Sequence, residues 1–170
     1  AIVNLEGEGR AKLFRYAKEH GKIVIGDTFV PRDNVWLPKI AACLPYMDYF
    51  LPSIAEATPL CDGETDPHKI VDILASYGPK VVVVKVGSDG CVLRTQTGEH
   101  VEIPAYRVEQ VIDTTGTGDS FCAGFTAGVV HGYDDVSCCK IGAAVGAHCV
   151  GAVGASTGMV PFEQILSFIE

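Results

Sequence analysis

The chain has 170 residues and a formal net charge of −8, and 48% of its residues are hydrophobic. This length suits one domain, residues 1–170, with a sizeable core, while the acidic balance argues against nucleic acid as a partner. No apolar stretch reaches membrane-spanning length and no signal peptide opens the chain, so no membrane partner is expected. Seven cysteines without a C-x-x-C pair favour free thiols and a cytoplasmic location over disulfides or a zinc site.

Apolar periodicity predicts helices that alternate with strands along the chain. In order, we expect a helix over 9–20, a strand over 23–25, a loop over 27–32, a helix over 35–44, a strand over 48–51, helices from 53 and over 66–77, a strand over 80–86, a hairpin of 91–95 with 100–103, a strand ending at 112, and helices over 119–131, 136–150 and 161–169. This alternation indicates an α/β fold with a largely parallel sheet plus a small β-hairpin. Ligands bind beyond the carboxyl ends of such strands, so we expect the loops after Leu51, Val86 and Ile112 to line one crevice.

The run Asp113-Thr-Thr-Gly-Thr-Gly-Asp-Ser-Phe121 ends an apolar stretch and opens a helix of small residues. Gly116 and Gly118 permit backbone conformations that other residues avoid. The amides of Thr117, Gly118 and Asp119 are therefore expected at a helix N-terminus, where N–H groups favour phosphate. Phosphate repels the Asp119 carboxylate unless that group accepts a proton from an attacking hydroxyl. The alternative interpretation is a simple helix cap after a strand-to-helix turn.

This run closely resembles the second signature of ribokinase-like (PfkB-type) carbohydrate kinases, whereas the P-loop, dinucleotide and protein-kinase motifs are absent. Three more segments match in family order: 51–57 resembles an Asn-x-x-Glu segment, 85–90 a nucleotide-binding turn, and 142–158 the closing helix with its Gly-Ala loop. The resemblance implies a ribokinase-like α/β/α sandwich. It also implies that this chain is the C-terminal, nucleotide-binding part of the kinase, without the N-terminal half and lid that hold most sugar-binding residues.

The resemblance further implies roles for individual residues. The expected catalytic set is Asp119 as general base with an anion hole of Gly116, Thr117 and Gly118. The expected nucleotide contacts are Ser53, Lys85, Gly87, Ser88, Gly90, Gly118 and Gly142. The expected metal contacts are Glu56, which would orient Mg²⁺ through water, and Asp113, Thr115 and Gly154, which would help to bind K⁺.

Several of these residues have a second interpretation. Ser53 replaces the asparagine that is usual in the family, and it also suits a helix cap. Glu56 also suits a solvated helix surface. The glycines of the 85–90 segment also suit an ordinary hairpin turn, and Gly142 also suits tight packing of its helix.

The resemblance implies ATP-dependent phosphoryl transfer to a hydroxyl of a sugar or sugar derivative, with ATP and Mg²⁺ as cofactors and with K⁺ as a further candidate. Two alternatives remain open at this point. One is a nucleoside kinase of the adenosine type, and the other is a homologue that binds nucleotide or sugar without turnover. The resemblance also allows a homodimer formed through the missing lid.

Overall fold

The computed structural model describes residues 7–28 and 37–169, and it has an α/β fold. Its helices are α1 (Gly7–Glu19), α2 (Leu37–Ile40), α3 (Ile54–Leu60), α4 (Pro67–Ala75), α5 (Thr117–Val130), α6 (Asp135–Cys149) and α7 (Phe162–Ile169). Its strands are β1 (Ile25–Gly26), β2 (Tyr49–Phe50), β3 (Val81–Lys85), β4 (Cys91–Arg94) and β5 (His100–Ile103).

The five strands form one mixed, mostly parallel sheet in the order β1-β2-β3-β4-β5. Strand β2 pairs in parallel with both neighbours, with Phe50 opposite Gly26 on one side and Val82 on the other. Strands β4 and β5 form a hairpin whose turn is closed by a hydrogen bond from the Gly98 N–H to the Thr95 carbonyl (3.0 Å). The predicted α/β fold and its largely parallel sheet are therefore confirmed.

The chain divides into two compact units, and the first comprises residues 1–84 with 92–100. All residues of β3 are buried, as a continuous β-branched run in a parallel sheet requires. The buried Asp48 carboxylate lies just before β2 and accepts hydrogen bonds from the Lys18 ammonium (2.6 Å) and the Val24 N–H (2.9 Å). Lys80 lies 3.0 Å from the same carboxylate, so this charge is well compensated.

The second unit comprises residues 85–91 with 101–170. Its helices α5 and α6 approach closely at glycines, because a Cβ on Gly124 would lie 3.0 Å from Gly142 Cα and one on Gly128 would lie 2.9 Å from Cys138 Sγ. Helix α7 covers α6 through a buried cluster that contains Val145 and Ile165. This packing fixes the direction of α5, whose first turn carries the predicted anion loop.

Most predicted helices and strands appear within a few residues of their expected ends, but two predictions are wrong. No strand ends at Ile112, because the Ile112 N–H donates to the Val150 carbonyl (2.8 Å) at the end of α6 instead of pairing with a strand. The side chains of Val111 and Ile112 are both exposed. The helix expected over 35–44 is broken into α2 and a 3₁₀ turn at 44–46, since Pro45 has no N–H to continue it.

Some predictions fall on residues outside the described ranges. They concern most of the 27–32 loop and the first two residues of the 35–44 helix, which include Trp36. In the part of the chain that the structure describes, no helix combines the length and the apolar character needed to cross a bilayer. All seven cysteines carry free thiols, as predicted, and six of them are buried.

Candidate active site

The loop before α5 is closed by its own threonines and by a left-handed glycine. Gly116 is the N-cap residue of α5, with φ 78° and ψ 1°, a conformation that disfavours residues with a Cβ. The Thr117 N–H (3.2 Å) and the Thr117 Oγ1 (2.8 Å) both donate to the Thr114 carbonyl. The chain therefore turns sharply before the helix begins. Because its N–H is used in this turn, Thr117 is less suited to the anion hole than predicted.

The next two amides precede the hydrogen-bond ladder of α5. The first hydrogen bond of the helix runs from the Ser120 N–H to the Gly116 carbonyl (2.8 Å). The N–H groups of Gly118 and Asp119 precede it and have no acceptor within the helix. The Asp119 side chain is exposed in the same turn. Two N–H groups and one carboxylate thus share the positive end of a 14-residue helix.

The Asp113 carboxylate joins this loop to the loop that follows α6. One carboxylate oxygen accepts from the Thr115 N–H (2.9 Å), and the other accepts from the Gly154 N–H (2.8 Å). Hydrogen bonds from Thr115 and Gly154 lower the pKa of Asp113, so the clamp is ionised at neutral pH. The predicted cation residues Asp113, Thr115 and Gly154 are therefore neighbours.

Two backbone carbonyl oxygens meet beside this clamp. The Cys149 Sγ lies 3.5 Å from the Thr115 carbonyl oxygen and 3.7 Å from the Ala155 carbonyl oxygen. The Ser120 Oγ also lies 3.5 Å from the Ala155 carbonyl oxygen. A Cβ on Gly116 would lie 2.8 Å from Ala155 Cα, so the two loops touch through their backbones.

A buried lysine lies beside the first turn of α5. Lys85, at the end of β3, is only 8% exposed, and its Nζ lies 3.4 Å from Cys122 Sγ. The position of a Cβ on Gly118 would be 3.5 Å from the same Nζ. The ammonium group is thus held next to the amides that begin α5, where it adds positive charge to the loop.

The predicted nucleotide turn follows Lys85 as a 3₁₀ turn over Gly87–Asp89. The Val86 N–H donates to the Gly90 carbonyl (2.8 Å) across the turn, and Gly87 and Ser88 are exposed. Gly90 has φ 102°, and a Cβ there would lie 2.6 Å from the Ala105 nitrogen and closer still to the Ile103 carbonyl. Only glycine fits at this crossing of two backbone segments.

Gly142 is used in helix packing. A Cβ at this position would lie 2.8 Å from the Phe121 carbonyl oxygen and 3.2 Å from the Phe121 ring. The packing interpretation of Gly142 is therefore favoured over a nucleotide contact, and the packing partner is α5. One turn later, Gly146 faces Thr117, with 3.5 Å between the position of its Cβ and the threonine methyl carbon.

Ser53 and Glu56 lie in the first unit and form the cap of α3. The Ser53 N–H (2.7 Å) and Oγ (2.6 Å) both donate to Oε2 of Glu56, and Ser53 Oγ accepts from the Glu56 N–H (3.4 Å). This is a complete capping box. The cap interpretation of Ser53 is therefore confirmed, and Glu56 shares in it.

The second unit thus collects seven of the fourteen predicted site residues around the start of α5: Lys85, Asp113, Thr115, Gly116, Gly118, Asp119 and Gly154. The convergence of Ser53 and Glu56 with this loop stays a prediction. The sequence analysis missed Ala155 and Cys122. Cys122 could have been found, because it lies three residues after Asp119 and so on the same side of α5.

A family model described as pfkB family carbohydrate kinase matches residues 3–162, which is nearly the whole chain. The chain belongs to this family. Among curated proteins, a 2-dehydro-3-deoxygluconokinase from Bacillus subtilis is 35% identical over 122 residues, covering 72% of this chain and 37% of the relative. A nucleoside kinase from Methanocaldococcus jannaschii is 38% identical over 89 residues, covering 52% of this chain and 29% of the relative.

Several solved structures share the fold of this chain. Ribokinase from Arabidopsis thaliana, in complex with ribose and ATP, matches with a TM-score of 0.84 and 28% identity, covering 95% of this chain and 52% of that one. Aminoimidazole riboside kinase from Salmonella enterica matches with a TM-score of 0.82 and 26% identity, covering 94% and 56%. The chain therefore spans about half or less of the length of these relatives.

Proposed function

We propose that this chain is the nucleotide-binding and catalytic part of an ATP-dependent kinase that phosphorylates a hydroxyl of a sugar or sugar derivative. The observation that carries the proposal is the start of α5, where the amides of Gly118 and Asp119, the Asp119 carboxylate and the buried Lys85 ammonium lie together. A helix cap alone would not account for a buried cation beside an exposed carboxylate. Membership of a carbohydrate kinase family supports the same chemistry.

In this proposal Asp119 is the general base. Its carboxylate would accept the proton of the acceptor hydroxyl as that oxygen attacks the γ-phosphorus, a contribution of roughly 10²–10⁴ in rate. The N–H groups of Gly118 and Asp119 would donate to the oxygens of the transferred group, and one such donor contributes roughly 10²–10³. Lys85 would neutralise charge on the phosphate chain from its buried position.

Within the 85–90 turn, the exposed Gly87 and Ser88 would face the nucleotide. Gly90 would fix the shape of the turn rather than contact the ligand, because its Cβ position is filled by backbone atoms. We assign Gly142 to the same indirect role, since it sets the distance between α5 and α6.

The residues present fit the cations that the family implies. Mg²⁺, when bound, neutralises charge on the phosphate oxygens. Both hydrogen bonds of Ser53 to Glu56 use Oε2, so Oε1 is the oxygen available to a hydrated Mg²⁺. The carbonyl oxygens of Thr115 and Ala155 lie beside the ionised Asp113 clamp and are the oxygen ligands that suit K⁺. An E. coli structure of the ribokinase type was solved with ATP and Mg²⁺ and is 26% identical to this chain.

The relatives help most with the identity of the molecule that accepts the phosphoryl group. The match to 2-dehydro-3-deoxygluconokinase covers more of this chain than the match to the nucleoside kinase. We therefore place sugars and sugar acids first and nucleosides second. The free thiols of all seven cysteines suit the cytoplasmic location that such a metabolic kinase would have.

The test uses the full-length protein that contains this chain. Calorimetric titration with ATP and ADP, in Mg²⁺ and K⁺, measures nucleotide binding for the wild type, Asp119→Asn and Gly118→Val. We expect Asp119→Asn to bind ATP but to lose roughly 10²–10⁴ in turnover. Gly118→Val should abolish binding, because its side chain would enter the space beside Lys85.

Gly132→Ala is the matched control, since it lies at the far end of α5 with open space around its Cβ position. Turnover is then measured on a panel of sugars, sugar acids and nucleosides. Wild-type turnover by Asp119→Asn would remove the base assignment. Failure of the folded wild type to bind any nucleotide would refute the kinase proposal as a whole.

A further inference from the structure

Two histidine rings meet at the boundary between α4 and the β4–β5 hairpin, and nothing in the proposed kinase chemistry uses them. His68 lies in the first turn of α4, and His100 is the first residue of β5. Their Nδ1 atoms are 3.3 Å apart, and the ring centroids are 5.5 Å apart. Both side chains are partly buried, so the two rings form a defined pair rather than a chance surface contact.

The tautomer of His100 is set from its other side. The His100 Nε2 lies 3.0 Å from the Asp72 carboxylate, which Arg94 also contacts at 2.7 Å. The carboxylate oxygen acts as the acceptor in this contact, so His100 Nε2 carries the proton and donates it to Asp72. In neutral His100 the lone pair is then on Nδ1, the atom that faces His68.

The distance between the two Nδ1 atoms is compatible with a shared metal ion. The separation of 3.3 Å also allows a direct hydrogen bond between the two rings, which a bound metal ion would replace. Zinc binds imidazole nitrogen at about 2.0–2.1 Å in a tetrahedron, which sets two of its ligands about 3.3–3.4 Å apart. An octahedral ion with the same bond length would need a shorter separation of about 3.0 Å.

The surroundings match those of metal-binding histidines. A metal-bound imidazole usually donates its other N–H to a carboxylate, which orients the ring and raises its basicity. The Asp72 carboxylate occupies this position next to the Nε2 of His100. In the residues that the structure describes, no group of three or more histidine, cysteine or acidic side chains converges. Water would therefore complete the coordination.

We propose that His68 and His100 form a two-histidine site for a tetrahedral transition-metal ion of the Zn²⁺ class, with Asp72 as the carboxylate that positions His100. The bound ion would cross-link α4 to the start of β5. It would stabilise the folded protein by an amount that grows with the free metal concentration. This inference does not depend on the proposed kinase activity.

The test is a titration of the metal-free, full-length protein with Co²⁺, which reports tetrahedral coordination through its visible absorption. We expect one such site, which Zn²⁺ displaces, and a higher urea midpoint in the presence of metal. His68→Gln and His100→Gln should each remove the tetrahedral spectrum. Asp72→Asn should keep it but weaken binding about 10–100-fold. The control is His20→Ala, an exposed residue just after α1 whose ring contacts the Tyr16 carbonyl oxygen and the Tyr16 ring.

Circular dichroism and urea midpoints in chelator establish that each variant folds. The proposal is overturned if Co²⁺ produces no tetrahedral spectrum at saturation. It is also overturned if the spectrum persists in the His68→Gln/His100→Gln double variant. Thiolate charge-transfer bands would assign the binding to cysteine instead and would likewise refute it.

Discussion

Replacing Gly116 with alanine tests the geometry of the active-site loop directly. Gly116 has φ 78°, and a Cβ there would lie 2.8 Å from Ala155 Cα and closer still to Ala155 Cβ. The substitution therefore introduces two separate costs. One is the left-handed backbone, which disfavours alanine by about 1–2 kcal/mol. The other is the contact with the loop after α6, which must move aside at a cost of about 1–3 kcal/mol.

Gly132→Ala isolates the first of these costs. Gly132 has φ 81°, nearly the same backbone, but no atom lies within 4 Å of its Cβ position. Gly132→Ala should lower the free energy of unfolding by about 1–2 kcal/mol. Gly116→Ala should lower it by about 1–3 kcal/mol more than Gly132→Ala does. Adding Ala155→Gly to Gly116→Ala should recover part of the difference, since it removes one of the two clashing atoms.

The assay is urea unfolding of the three variants and the wild type, followed by calorimetric ATP titration of those that fold. We expect ATP affinity to fall in Gly116→Ala and to be unchanged in Gly132→Ala, which lies at the opposite end of α5. Equal destabilisation by the two single substitutions, within about 0.5 kcal/mol, would show that the contact between the two loops is absent. The reasoning about loop geometry would then be wrong.

Three other results are expected. Hydrogen bonds lower the pKa of Asp113 in the folded protein. Its clamp therefore stabilises the fold at pH values above the ordinary carboxyl pKa of about 3.9, and this stabilisation is lost as the pH falls through the lower pKa of the folded state. Urea midpoints of Asp113→Asn should therefore be reduced at pH 7 and converge with wild type in strong acid, whereas parallel curves would contradict the clamp. A bulky thiol reagent should modify Cys122 first, because the other six cysteines are buried, and ATP should slow the reaction; peptide mapping that finds another cysteine first would be evidence against this geometry. Asp48→Ala removes a buried acceptor of two lysines and a backbone N–H, so unfolding free energy should fall by about 2–4 kcal/mol; a loss below about 0.5 kcal/mol would show the ion pairs to be unimportant.

Structure was predictable from the sequence wherever a local signal determines it. The strand expected over 80–86 and the helix expected over 66–77 appear as β3 and α4, and Asp66 caps α4. The glycines around the 113–119 loop also marked the turn into α5 correctly. In each case the signal is the conformational preference of the residues themselves, although β3 finds its pairing partner in β2, which is distant in the chain.

Predictions were wrong or missing where the deciding partner is distant in the chain. Val111 and Ile112 have the composition of a strand, but the Ile112 N–H bonds to Val150 in another loop. Likewise, nothing near Gly116 indicates that Ala155 fills the space beside it. The Lys85–Cys122 contact joins residues 37 positions apart, and only the folded chain reveals it.

The glycine contacts between α5 and α6 have a consequence for movement in the second unit. Gly124, Gly128 and Gly142 bring the two helices close together over about two turns, from Phe121 to Gly128 of α5. Such a pair of helices resists sliding and bending, so the two helices should move as one rigid body. A bulkier residue at Gly128, far from the reacting groups, would tilt α5 relative to α6. This tilt would displace the amides of Gly118 and Asp119 at the other end of α5. Substitutions remote from the nucleotide could thus tune turnover while leaving every residue of the loop unchanged.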